Sequence, residues 1–139
     1  MSPRHAVETV RLGYEAWNRG DLDALRSIYS PDVRADAGEL WPASGEVSGA
    51  EGIIGAFASI LATFEHCELV PEDYIEHGDT VVVPTVWQGT LVGSKSVIKE
   101  HVVAVYTLRG DRICRIAYFE HMADAMERAN GLAHAPRLI

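Results

Sequence analysis

The chain has 139 residues, a formal net charge of −8, an isoelectric point near 5.1 and a hydrophobic fraction of 47%. We expect one domain over residues 1–139, with its core at about 6–131. The charge disfavours binding to nucleic acid or anionic membranes, which requires clustered Lys and Arg. No apolar run approaches the ~20 residues of a membrane span, and the start lacks an apolar leader, so we expect a cytoplasmic protein.

The first segment predicts two consecutive helices. Over residues 5–19, apolar side chains at positions 7, 10, 14 and 17 lie on one helix face. Gly20 is a suitable end for this helix, and Asp21 is a suitable N-cap for a second, shorter one. Pro31 stops the second helix, because the residue before a proline avoids the helical conformation.

A short strand, a loop and a third helix follow. Residues 33–37 are typical of a strand, and 38–49 form a loop rich in Gly, Pro and Ser. Ser48 and Glu51 have the spacing of a capping box that opens the third helix. The apolar stripe of that helix is Ile53, Phe57, Ile60 and Phe64.

From Cys67 onward the pattern changes to strands. We predict them at about 67–77, 79–92, 96–109 and 112–121, joined by short Gly-containing turns that require antiparallel pairing. Residues 122–130 are typical of a closing helix. Helices that segregate from strands indicate an α+β fold, in which a curved sheet carries the helices on one face.

Alternation along the strands predicts which side chains face the helices. In 79–92 the odd-numbered residues, including Trp87, form the inward set. In the last strand the even-numbered residues point inward, because Arg115 is a poor core residue. This places Glu120 beside Tyr118 on the inner face, where a carboxylate must find a partner or raise its pKa. The alternative is that Glu120 lies near the strand end and is solvated.

The outer face of the sheet is also apolar. Val103 and Val105 in the third long strand, and Ala117 and Phe119 in the fourth, are too apolar to face water. A second copy of the chain would cover them, so we expect a homodimer through the outer sheet face.

The sequence offers few signals for cofactors or metals. Cys67 and Cys114 form no CxxC pair and are expected to be buried, reduced thiols. The six histidines lack metal-ligand spacing, and no Gly-rich phosphate loop is present, so we expect neither metal nor cofactor. His101 points outward on strict alternation, and a bulge would turn it inward as an acid/base group.

Two segments carry a resemblance to a known family. "YEAWNRGDLDALRSIYSPDV" near the start and "YFEHMADAMERANGL" near the end, with the strands between them, resemble the nuclear transport factor 2-like superfamily, and within it the SnoaL-like polyketide cyclases. The resemblance implies a cone-shaped antiparallel sheet wrapped around three N-terminal helices, a short C-terminal helix, a pocket between sheet and helices, and dimers. Because the superfamily contains both enzymes and binding proteins, it does not imply one activity.

The resemblance also allows the catalytic positions of related enzymes to be compared with this sequence. The catalytic positions of ketosteroid isomerases fall on Gly13, Ala37 and Ala104, which argues against steroid isomerisation. Tyr14 lies one residue after the first position and Asp36 one residue before the second. The last-strand acid of polyketide cyclases falls near Tyr118. Asp36 is then either a solvent-facing strand residue or a pocket carboxylate reached through a bulge.

The sequence therefore predicts a pocket for a small, apolar, carbonyl-bearing molecule. One hypothesis is a cofactor-free cyclase, isomerase or dehydratase, and the alternative is a binding or accessory protein without turnover. Trp41, in the loop, is either a lid over the pocket or an ordinary packing residue. The candidate catalytic residues are Glu120, Tyr118, Asp36 and His101. The candidate pocket residues are Tyr14, Trp17, Trp41, Phe57, Val83, Thr85, Trp87, Ala104, Tyr106 and Ile116.

Overall fold

The computed structural model describes residues 3–36 and 46–133. Within these ranges, the helices are α1 (Pro3–Arg19), α2 (Leu22–Ile28), α3 (Ala50–Thr63) and α4 (Met122–Ala133). The strands are β1 (Tyr29–Asp36), β2 (Glu46–Ser48), β3 (Phe64–Pro71), β4 (Ile75–His77), β5 (Thr80–Leu91), β6 (Val97–Arg109) and β7 (Arg112–Phe119). Trp41 lies outside the described residues. No helix of the described part is both long and apolar enough to cross a membrane.

The helix ends confirm one predicted cap and contradict another. Gly20 follows α1 with a φ of 70°, and the Asp21 side chain accepts a hydrogen bond of 3.0 Å from the Ala24 amide, as expected for an N-cap. The predicted capping box at α3 is wrong, because Gly49 occupies the N-cap with a φ of 82°. Glu51 instead forms an ion pair of 2.7 Å with Arg26 of α2.

The sheet is curved and mixed, with the strand order β2-β1-β7-β6-β5-β3 and with β4 paired to β5. The predicted antiparallel meander is confirmed for β3, β5, β6 and β7. β1 departs from the expected antiparallel sheet because it pairs parallel with β7. The predicted strand 67–77 is divided after Pro71, and three residues separate it from the short β4. The α+β class and the wrapping of a curved sheet around three helices are confirmed.

The inner face of the sheet packs against α1, α2 and α3. Val10, Leu25 and Ile53 of these helices are almost fully buried against Val83 and Ile116 of the sheet. Val83 belongs to the predicted inward set of β5 and Ile116 to that of β7, so the alternation was assigned correctly at both positions.

The outer face carries a second cluster, which corrects the expectation that all helices lie on one side. Val103 and Val105 of β6 pack with Ala117 of β7 against Ala125 and Ala129 of α4. All five side chains are buried within the single chain. The apolar outer face from which we predicted a dimer is therefore covered by α4 itself, so the dimer remains a prediction without this support.

Candidate ligand pocket

A cavity lies between the helices and the concave face of the sheet. The cavity volume is about 180 Å³, and the cavity opens to solvent at a mouth. Six of the predicted site residues line it: Tyr14, Trp17, Phe57, Trp87, Tyr106 and Tyr118.

Four other predicted pocket residues do not line the cavity. Val83, Ala104 and Ile116 are buried in the core behind it. Thr85 is 2% exposed and is joined to the lining residue Tyr14 by a hydrogen bond. Alternation assigns a residue to a face of the sheet, but only the packing of the helices decides whether that position borders a cavity or solid core.

Several aliphatic and aromatic residues that line the cavity were not predicted from the sequence. Leu25, Ile28 and Ile60 come from the short helix and from α3, and Tyr29, Phe64 and Leu69 come from strands. Ile60 and Phe64 belong to the apolar stripe predicted for the third helix, which did not indicate contact with a cavity. Ile113 was assigned to the outer face, and it points inward because β7 has a bulge at Cys114. No pattern in the sequence predicts that bulge.

Three buried hydroxyl groups form a chain at the cavity. The Tyr106 hydroxyl donates to the Tyr14 hydroxyl at 3.0 Å, and the Tyr14 hydroxyl lies 2.8 Å from Thr85 Oγ1. Thr85 Oγ1 in turn donates to the Val83 carbonyl oxygen at 3.1 Å. Helix α1 and strands β5 and β6 are thus joined by polar contacts inside an otherwise apolar interior.

The phenols around the cavity are neutral at physiological pH. Burial raises the pKa of Tyr14 to about 12, against the opposing effect of Thr85 and Tyr106, which would donate to its anion. Burial also raises the pKa of Tyr29, Tyr106 and Tyr118 well above 10, the ordinary value for tyrosine. These groups therefore offer hydroxyls rather than phenolates.

Trp17 and Cys67 meet at another part of the wall. Burial raises the pKa of the Cys67 thiol, and the nearby Trp17 indole N–H partly opposes this because it favours the thiolate. Among the described residues the N–H nevertheless finds no hydrogen-bond acceptor, although it is buried. Both cysteines are free thiols, and they are half-buried rather than fully buried as predicted.

Aromatic rings shape two sides of the cavity. The rings of Trp17 and Phe57 meet edge to face with centroids 5.0 Å apart, and those of Phe64 and Trp87 do so at 5.4 Å. Such pairs hold the rings in fixed orientations. The result is a preformed aromatic surface on both the helix side and the strand side.

Three of the four candidate catalytic residues lie away from the cavity. Glu120 is exposed and follows the end of β7, contrary to the expected inner-face position. His101 is exposed and faces outward, because its neighbour Val102 lines the cavity. Asp36 is half-buried and pairs with Ala117 on the outer side of the sheet. The structure thus places Glu120, His101 and Asp36 outside the cavity.

The described lining of the cavity carries no charged side chain and no histidine. Among residues 3–36 and 46–133, no three His, Cys, Asp or Glu side chains are grouped so that they could hold a metal ion. The site residues in the described ranges therefore supply aromatic surface, aliphatic surface, neutral hydroxyls and one thiol.

Solved structures share this fold. A SnoaL-like polyketide cyclase, so named putatively, from Jannaschia sp. CCS1 is 24% identical, with 98% of each chain covered and a TM-score of 0.74. An NTF2-like protein of unknown function from Burkholderia pseudomallei K96243 is 24% identical, with 91% of this chain and 97% of that chain covered and a TM-score of 0.75. TerC, co-crystallised with polyporic acid, is 22% identical, with coverages of 93% and 99% and a TM-score of 0.74.

Family comparison agrees with the structural likeness. No curated protein matches the sequence. The SnoaL-like domain profile matches residues 10–116, which is more than half of the chain. The predicted resemblance is thereby confirmed, and the chain belongs to the SnoaL-like domain family.

Proposed function

We propose that this protein binds an uncharged, ring-containing small molecule with an oxygen substituent in the cavity between the helices and the sheet. The observation that carries the proposal is the composition of the lining, which is aromatic and aliphatic apart from neutral phenols and a thiol. Desolvating an ionised ligand there would be costly, because no described lining residue supplies a countercharge.

The shape of the lining supports a flat ligand. Trp17 with Phe57 on one side and Phe64 with Trp87 on the other present ring edges and faces to the same space. A ring system between them gains apolar burial at about 25 cal/mol per Å² as well as ring contacts. The structural neighbour TerC was crystallised with polyporic acid, which agrees with a small-molecule pocket in this fold.

Calorimetric titration with 2-acetylnaphthalene tests the proposal. We expect saturable binding with one site per chain, and binding weaker by about tenfold or more for the carboxylate analogue 2-naphthoate, which must shed its hydration. Trp87→Ala should weaken binding of the ketone about tenfold. Val86→Ala is the matched control, since Val86 is the adjacent strand residue and faces outward.

Two results would count against this function. One is the absence of binding by the ketone at its solubility limit. The other is equal affinity of the wild-type protein and Trp87→Ala, which would place the ligand elsewhere. Glu120→Gln and Asp36→Asn should leave the affinity unchanged, because neither residue lines the cavity.

A cofactor-free acid/base enzyme is the second candidate, with cyclisation, isomerisation or dehydration as the reaction class. The observation that favours it is Glu100, which is the cross-strand partner of Trp87 and so lies on the inner face, although it is exposed. Neutral phenols of the cavity would stabilise an oxyanion that forms when a base removes a proton. In this case Glu100→Gln would abolish turnover of a bound ketone and retain its binding, as measured by deuterium exchange next to the carbonyl.

A further inference from the structure

We propose that Tyr106 presents a hydrogen-bond acceptor to the cavity, so that the preferred ligand carries a hydroxyl group that donates to the Tyr106 oxygen. The inference rests on the proposed function, since it concerns the same cavity. It narrows the ligand from any oxygen-bearing ring compound to a phenol, enol or alcohol, in preference to the corresponding ether or ketone.

The direction of the hydroxyl chain carries the proposal. Tyr106, Tyr14 and Thr85 each have one hydroxyl proton, whereas the Val83 carbonyl can only accept. The three contacts measure 3.0, 2.8 and 3.1 Å in that order. All three become hydrogen bonds at once only if each hydroxyl donates toward Val83. Any other arrangement of the protons loses at least one bond.

This direction leaves the acceptor end of the chain at Tyr106. The Tyr106 hydroxyl donates its proton to Tyr14. Among the described residues, no group donates a hydrogen bond to the Tyr106 oxygen. Tyr106 lines the cavity and is 8% exposed, while Tyr14 and Thr85 are 4% and 2% exposed. Bulk water therefore has little access with which to replace a lost bond in the chain.

A count of hydrogen bonds gives the expected selectivity. A ligand hydroxyl that donates to Tyr106 extends the chain to four bonds. A ligand that can only accept requires Tyr106 to donate to it instead of to Tyr14. The chain then loses either the bond between Tyr106 and Tyr14 or, if Tyr14 and Thr85 also reverse, the bond from Thr85 to Val83, and three bonds remain in both cases. One net hydrogen bond corresponds to about a two- to tenfold difference in affinity.

The test compares 2-naphthol with 2-methoxynaphthalene by calorimetry at pH 7. We expect 2-naphthol to bind the wild-type protein about two- to tenfold more tightly. In Thr85→Val the ratio of the two affinities should fall toward one. The shortened chain contains two hydrogen bonds with either probe: one between the probe and Tyr106, and one between Tyr106 and Tyr14. Thr85 does not line the cavity, so this variant keeps the cavity wall unchanged.

Matched variants show whether a change in the affinity ratio is caused by the hydroxyl chain or by the loss of any buried hydroxyl. Thr80→Val removes the hydroxyl of a residue in the same strand that is 3% exposed, and it should keep the wild-type ratio. Thr85→Ser retains the hydroxyl and should also keep it. Tyr106→Phe removes the acceptor and gives the ratio that arises from the size of the methyl group alone.

The outcomes are distinguishable. Equal affinities for the two probes in the wild-type protein, or a ratio that is unchanged in Tyr106→Phe, would overturn the inference and leave the proposed function standing. Binding of neither probe would overturn the proposed function, and the inference with it. If Thr85→Val does not fold, Tyr106→Phe and Thr85→Ser decide, since the first should lose the wild-type ratio and the second should keep it.

Discussion

The side-chain amide of Asn18 holds the backbone of Leu69 by two hydrogen bonds. Asn18 Nδ2 donates to the Leu69 carbonyl oxygen and the Leu69 amide donates to Asn18 Oδ1, both at 2.8 Å. Leu69 lines the cavity, so a residue at the exposed end of α1 fixes one strand of the pocket wall.

Asn18→Asp should loosen this wall. The carboxylate keeps the acceptor for the Leu69 amide but replaces the donor with an oxygen that repels the Leu69 carbonyl. We expect a loss of about 1–2 kcal/mol in the free energy of unfolding by urea denaturation. Asn18→Ala should cost a similar amount, since it removes both bonds without adding repulsion. A carboxylate variant as stable as the wild type would contradict this role.

Val105→Glu should unfold the protein rather than separate a dimer. Val105 is 1% exposed beneath α4, so a charge there would be buried without a partner. We expect a loss of roughly 3–5 kcal/mol in the free energy of unfolding, measured by urea denaturation. A variant with wild-type stability would show that α4 does not cover this face in solution.

The homodimer is predicted on the part of the outer face that α4 leaves open. Val70 is 40% exposed there, beside Val86 in the neighbouring strand. Val86→Glu should give a stably folded monomer by size-exclusion chromatography with light scattering, because the charge faces its symmetry mate only in the dimer. A wild-type chain that is monomeric at high concentration would rule the dimer out.

Gly89→Ala should disturb the aromatic wall at the strand side. A Cβ at Gly89 would lie 2.8 Å from the Phe64 ring and 3.0 Å from the His66 carbonyl oxygen, so the backbone itself obstructs it. We expect a loss of about 1–3 kcal/mol of stability and a shift in the fluorescence of Trp87, which contacts Phe64.

Gly55→Ala is the control for that substitution. Nothing lies within 4 Å of a Cβ at Gly55, and the residue is inside α3. The variant should gain up to about 1 kcal/mol from helix propensity. If Gly55→Ala lost as much stability as Gly89→Ala, the close approach of Phe64 to Gly89 would not explain the loss of stability in Gly89→Ala.

Stability should fall steeply at alkaline pH. Burial raises the pKa of Tyr14 from 10.0 to about 12, so the folded chain keeps a proton that the unfolded chain releases from about pH 10. The stabilisation is complete below pH 10 and is lost as the pH rises toward 12, by roughly 1.4 kcal/mol per pH unit for each such phenol. Urea denaturation at pH 9 and pH 11 measures this loss.

Tyr14→Phe should reduce that dependence on pH, because phenylalanine has no proton to release. The comparison uses the slope of stability against pH, since the variant also loses the hydrogen bonds of Tyr14 at every pH. An unchanged slope in Tyr14→Phe would show that Tyr14 does not contribute to the alkaline transition.

The sequence by itself determined the four helices, the antiparallel meander and the inward residues of β5, whereas it assigned the short strand β2 to a loop. These follow from periodicity, from glycines at turns and from strand alternation, all of which are local. The family resemblance carried by the helix-Gly-Asp-helix segment was also available from the sequence. Within the candidate site, Tyr14, Trp17, Phe57, Trp87, Tyr106 and Tyr118 were found because large aromatic residues occupied inward positions.

Only the tertiary structure decided what those positions contact. The bulge at Cys114 turned Ile113 inward, and the end of β7 at Phe119 left Glu120 exposed. The outer face was covered by α4 rather than by a second chain, since apolar strands require a cover but do not specify its source. The bond between Tyr106 and Tyr14 joins residues 92 positions apart, and such a pairing is set by the packing of α1 on the sheet, which no local pattern encodes.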